Sequence, residues 1–142
     1  MLNGIPPVLS PELLKTICEM GHGDELVLAD GNFPSASNAK RLLRADGHGV
    51  PPVLQALVRF FPLDSGARRP VAMMAVDPGD AEPAIKKNYL KILKGISGFP
   101  GAFAMLPRED FYARARNAYA IVATSETALY ANIILRKGCV AL

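Results

Sequence analysis

A chain of 142 residues is the length of one domain, and half of its residues are hydrophobic, enough to bury a core at that size. Charged residues, at 20%, are too few for a disordered polyelectrolyte. The net charge of +3 is spread over separate pairs such as Arg41 and Arg44, Arg68 and Arg69, Lys86 and Lys87, and Arg114 and Arg116, so nucleic acid is not an expected partner.

The first helix is announced by Ser10-Pro11-Glu12: a hydroxyl cap, a proline in the first turn and an acid at the positive end of the dipole. Leu13, Leu14, Ile17 and Met20 follow at helical spacing, and Gly21 stops the helix. His22 therefore stands just past a helix end, between two glycines. Leu26 to Ala29 is a continuous apolar run, the pattern of a strand buried on both faces. Asp30 stands at its exit. Residues 32–38 read as a loop rich in Pro, Ser and Asn, and Leu42-Leu43 as a short strand closed by Asp46-Gly47.

Pro51-Pro52 opens a second helix carrying Val53, Leu54, Leu57, Val58 and Phe61. Residues 63–69 form a turn-rich link. Val71 to Val76 is a strand stopped by Asp77-Pro78-Gly79, and residues 82–94 a helix with Ile85, Tyr89, Ile92 and Leu93 on one side. Residues 95–101 read as a loop, and residues 108–117 as a polar helix anchored by Phe111. Ala118 to Thr124 and Ile133 to Leu135 are further strands. Alternating helices and buried strands predict an α/β domain over residues 1–142, with no internal repeat or linker.

No stretch reaches the ~18 apolar residues of a membrane span, and residues 1–20 lack the basic and apolar regions of a secretory signal. Cys18 and Cys139 are far apart in sequence, without metal-ligand spacing, and read as two reduced thiols. The expectation is a cytoplasmic protein with no membrane partner. GxxxxGK[ST], GxGxxG, HExxH and GxSxG are all absent, and two histidines without a CxxC give little for a metal; none is expected.

The residues with chemistry to offer stand at element ends. An imidazole exchanges a proton near neutral pH, so His22 is a candidate acid or base, or else a histidine capping late helix carbonyls. Asp30 is placed where α/β domains gather ligands and can accept from vicinal hydroxyls, or it is the turn residue of Asp30-Gly31-Asn32. Tyr130 and Asn132 fall on one side of an extended chain and together offer a donor and an acceptor, or they simply pack at a strand start. Arg108, opening a helix after Pro107, is a donor fork or a solvated surface arginine. His48 precedes no apolar strand and reads as a loop residue. Asp24 and Glu25 adjoin His22 and either tune it or are solvated.

Taken as ordered blocks, Leu9-Ser-Pro-Glu-Leu-Leu, the stretch from Met20 to Pro34, Arg44-Ala-Asp46-Gly47, Phe111-Tyr112-Ala-Arg-Ala and the stretch from Thr124 to Gly138 resemble the family of ribose pyranases and fucose mutarotases, from Ile5 to Gly138. Arg108-Glu109-Asp110-Phe111 is similar to the fucose branch, whereas the ribose branch tends to carry histidine first. Ser125 departs from the glycine usual in the fucose branch. So does Ala131, where the ribose branch also has alanine. The resemblance implies a three-layer domain with a mixed sheet between helices. It implies His22 as proton donor, and Asp30, Arg108, Tyr130 and Asn132 as substrate-binding residues, with Asp30 the weaker candidate for the complementary base. It also implies a homo-oligomer, often a decameric ring, with sites at or near subunit contacts and no metal or organic cofactor. The activity expected is L-fucose anomer exchange. The alternatives are pyranose–furanose exchange of D-ribose, a sugar-binding or transport-accessory protein without turnover, and a structural oligomer.

Overall fold

The pattern of Ser10 to Met20 folds as its capping signal predicts. In a computed structural model describing all 142 residues, Ser10 Oγ accepts from the Leu13 amide at 3.1 Å and α1 spans Pro11–Glu19. The further elements in chain order are β1 (Glu25–Ala29), α2 (Ser35–Asn38), β2 (Leu42–Ala45), α3 (Val50–Leu57), β3 (Val71–Met74), α4 (Ile85–Leu93), β4 (Ala104–Leu106), α5 (Arg108–Asn117), β5 (Ala120–Thr124) and β6 (Ile133–Arg136).

Two short elements depart from the sequence expectation. A single helical turn, α2, interrupts the polar loop of residues 32–38, and β4 lies in a stretch with no strand pattern. β4 is only three residues long and pairs with β3 alone, at the sheet edge, so it needs no alternation of its own. Val58 and Phe61 fall beyond the end of α3, although Phe61 remains buried in the core.

The six strands form one sheet in the order β2-β5-β1-β6-β3-β4. β1 and β2 both pair parallel to β5, and β3 pairs parallel to β4. β6 runs antiparallel to both its neighbours, β1 and β3. Side-chain alternation divides the inner strands between two cores. Leu26, Leu28, Val71, Met73, Val122, Ile133 and Leu135 pack with α1, α3 and α4 on one face. Val27, Ala29, Ala72, Met74, Ile121 and Ile134 pack with Phe33 and α5 on the other. The result is the expected three-layer α/β domain with a mixed sheet.

The lone antiparallel strand decides where function collects. Because β6 runs against β1, β3 and β4, the residues that enter β6 stand beside the residues that leave those three strands. Asp30 follows β1, Arg108 follows β4, and Tyr130 and Asn132 precede β6, so all four fall at one edge of the sheet. By the same geometry His22, before β1, falls at the other edge with Arg136. No helix is long and apolar enough to cross a membrane.

Candidate active site

An open cleft of about 260 Å³ lies at the carboxyl-terminal edge of the parallel strands. Asp30, Asn132, Arg108 and Tyr130 line it, and Phe33 and Tyr112 supply aromatic surface.

Asp30 is buried, and its Oδ1 accepts from the amides of Asn32 and Phe33 at 3.0 and 2.9 Å. It is thus the turn residue of Asp30-Gly31-Asn32 and a wall of the cleft at once; the two sequence readings were not exclusive. Burial pushes its carboxyl above the ordinary value, against the opposing pull of the backbone hydrogen bonds and of Asn132. Asn132 Oδ1 accepts from the Asp30 amide at 2.8 Å, so what its side chain offers a ligand is the NH2 donor.

Tyr130 is not in extended chain. Its φ of 55° makes it the one non-glycine residue in the left-handed region, a conformation that costs a residue of its kind on the order of 1–3 kcal/mol. The turn so formed brings Tyr130 and Asn132 into one cleft by a different route from the strand alternation expected of them. Its hydroxyl donates to Asp80 Oδ2 at 2.5 Å, which holds the phenol above its usual range. Between the two residues, the Ala131 carbonyl accepts from the buried Tyr89 hydroxyl at 2.6 Å.

Arg108 is half-exposed at the rim, and its Nη2 donates to Asp77 Oδ2 at 2.6 Å; the carboxylate holds the guanidinium firmly protonated. One helical turn further on, Tyr112 stacks on Phe33 with ring centroids 5.2 Å apart, and Phe111 meets Phe33 edge-on at 6.0 Å. The sequence names Tyr112 only within a block of the family resemblance and gives it no site role. Its signal is the i, i+4 spacing from Arg108 on one helix face.

His22 is not part of this cleft. β1, five residues at about 3.3 Å each, separates it from Asp30 within the chain. Gly23, at φ 87°, and a Gly21–Asp24 turn closed by Asp24 Oδ2 on the Gly21 amide at 2.7 Å present the exposed imidazole. Its Nε2 lies 3.2 Å from Asp64 Oδ1. Asp64 is buried, and its other oxygen accepts from Arg136 Nε at 2.9 Å. Arg136 above all, with His22 assisting, holds the Asp64 carboxyl below its usual value. Asp24 therefore shapes the turn instead of touching the ring, and Glu25 pairs with Arg114 at 2.6 Å. Asp64, in the turn-rich link, carries no sequence signal beyond an ordinary Asp-x-Gly turn. His48 lies in a loop, as expected. No group of three or more His, Cys, Asp or Glu residues is arranged to hold a metal ion.

The model of the RbsD / FucU transport protein family matches residues 3–140. An L-fucose mutarotase of Haemophilus influenzae is 47% identical over 139 residues, 97% of this chain and 96% of that protein. A human fucose mutarotase is 47% identical over 148 residues, covering 99% and 96%. Among solved structures, a fucose mutarotase of Streptococcus pneumoniae in complex with L-fucose superposes with a TM-score of 0.95 at 50% identity, covering 99% of this chain and all of that one. With its fold, its cleft and its full-length similarity in agreement, the chain belongs to the RbsD / FucU family.

Proposed function

We propose that this protein is an L-fucose mutarotase, a cofactor-independent isomerase that interconverts the α and β anomers by acid–base ring opening and closure. The observation that carries the reading is the convergence of Asp30, Asn132, Tyr130 and Arg108 on one open cleft with an aromatic wall. A carboxylate, an amide donor, a phenol and a guanidinium suit a ring of hydroxyls, and Phe33 and Tyr112 suit the apolar C–H face of a pyranose. Relatives named fucose mutarotase at nearly half identity support the choice of sugar.

Ring opening removes a proton from the anomeric hydroxyl and delivers one to the ring oxygen. As C1=O forms, the bond from C1 to the ring oxygen breaks. Rotation about C1–C2 and closure on the other carbonyl face give the other anomer. Asp30 is the base: burial makes its carboxylate a stronger proton acceptor than a solvated one. His22 is the acid. With Nε2 turned to Asp64, which orients the ring, it presents Nδ1 to the ring oxygen and delivers the proton from there.

One chain cannot bring His22 to its own cleft, because the two lie at opposite edges of the sheet. The reading therefore requires His22 of a second copy at each cleft, in a homo-oligomer; a decameric ring is the assembly that the family resemblance implies. A cytoplasmic setting is supported by the two free, exposed cysteines.

Ribose exchange is the weaker alternative, because the two departures from the fucose pattern point away from the cleft. The Ala131 side chain packs into the core on the α1, α3 and α4 face, and Ser125 Oγ accepts from the Gly47 amide at 2.8 Å.

The deciding experiment is exchange NMR on L-fucose anomers, with D-ribose in a parallel tube. Accelerated fucose exchange is the expected result. Acceleration of ribose pyranose–furanose exchange alone, or binding of fucose without acceleration, overturns the assignment.

A further inference from the structure

Both polar groups at the outer rim of the cleft, Arg108 and Tyr130, are held by one tight turn that follows β3. Asp77-Pro78-Gly79-Asp80 closes with the Asp80 amide donating to the Asp77 carbonyl at 3.0 Å, and Gly79 takes φ 92°. Proline then glycine at the two central positions is what a type II turn demands, so the turn is set locally and does not depend on the cleft. From it Asp77 Oδ2 receives Arg108 Nη2 at 2.6 Å, Asp80 Oδ2 receives the Tyr130 hydroxyl at 2.5 Å, and the Asp77 amide donates to the same phenol oxygen at 3.4 Å. The aspartates are exposed, and exposed pairs contribute little to fold stability. What they supply is placement of the Arg108 guanidinium and the Tyr130 hydroxyl at the rim.

The polarity of these bonds matters as much as their position. A phenol carries one proton and two lone pairs. Asp80, an ionised and acceptor-only group, takes the proton, and the Asp77 amide points at one lone pair. The remaining lone pair makes Tyr130 an acceptor toward a ligand. Arg108 gives one of its five N–H donors to Asp77 and keeps the rest of its fork.

We propose that the Asp77–Asp80 turn is a positioning element of the cleft: Asp80 makes Tyr130 accept from a sugar hydroxyl, and Asp77 holds Arg108 over the sugar as a donor. This rests on the reading of the cleft as a monosaccharide site. Neither aspartate touches the reacting atoms, so both act on binding and leave the proton transfers alone.

The test compares Asp77→Ala and Asp80→Ala with the wild-type protein in fucose anomer exchange. The phenol of Tyr130 is followed by ¹³Cζ NMR on tyrosine-labelled protein. Each variant is expected to raise KM roughly 5- to 10-fold while kcat changes less than about 3-fold, the signature of lost binding alone. In Asp80→Ala the Tyr130 titration midpoint is expected to move down toward that of a free phenol, a readout independent of turnover. Unchanged KM in both variants, or a fall in kcat at constant KM, overturns the proposal. Wild-type protein silent on fucose overturns the mutarotase reading and the proposal with it, whereas active wild-type protein with unaffected variants overturns the proposal alone.

Discussion

The Tyr89 hydroxyl, buried under the α4 side of the sheet, donates to the carbonyl of Ala131, the residue between Tyr130 and Asn132. One bond from the core thereby pins the arch that holds two cleft side chains. Tyr89→Phe keeps the ring and leaves the carbonyl without its partner. A loss of about 1–2 kcal/mol in stability is expected, measured by denaturant unfolding. Fucose binding should weaken as the arch relaxes, read as a higher KM. Full stability with unchanged KM would show that the arch holds itself.

Tyr130 pays for its place in backbone strain. Tyr130→Gly relieves the left-handed conformation, offset by the greater freedom of glycine in the unfolded chain and by the lost ring contacts. Stability is expected to stay within about 1 kcal/mol of wild type while kcat/KM for fucose falls at least ~10-fold. Calorimetry and exchange NMR on the same sample read the two effects. A large loss of both would make Tyr130 a structural residue first.

Asp30 sets two pH dependences of opposite sign. Its carboxyl is raised in the folded state, by burial first, so the folded protein binds that proton more tightly than the unfolded chain does. The stabilising contribution is therefore fully present below the unfolded value and is lost as pH rises through the folded one. Catalysis needs the carboxylate, so kcat/KM falls on the way down, with an acid limb above the ordinary carboxylate range. Asp30→Asn keeps an acceptor for the Asn32 and Phe33 amides and removes the buried charge. At neutral pH it is expected to raise Tm while lowering kcat by about 10²-fold or more. A variant that is less stable and still active would remove Asp30 from the role of base.

Much of this was legible in the sequence because the inner strands read unambiguously. Leu26 to Ala29 and Val71 to Met74 are buried on both faces, and their continuous apolar runs say so. β4 was not legible: with three residues and a single neighbour, it owes its strand geometry to β3 and not to its own pattern. Among the site residues, Asp30, Arg108, Tyr130 and Asn132 are grouped by the family resemblance, because an element end by itself leaves each of them equally open to a turn, packing or surface role. The route to Tyr130 differed, since a left-handed tyrosine is held by Asp80 and Asp77, residues that precede it by about fifty positions and that no local rule connects to it. Asp64 was hidden for the same reason. Its pairing with His22 depends on where β1 and β6 lie in the sheet, and strand order is not written in any one segment.

The separation of His22 from Asp30 gives the sharpest prediction. Each single variant, His22→Ala or Asp30→Ala, is expected to lose ~10²–10⁴-fold in exchange rate as a homo-oligomer. If each cleft takes Asp30 from one chain and His22 from another, co-refolding the two inactive variants rebuilds intact clefts wherever a His22→Ala chain receives the imidazole of an Asp30→Ala neighbour. Random mixing at equal amounts restores about a quarter of the sites. Exchange NMR on the mixed oligomer, with light scattering to establish that mixed assemblies form, reads this directly. Mixed assemblies with no recovered activity would mean that His22 serves no neighbouring cleft, and the acid would have to be sought among the groups of the cleft itself.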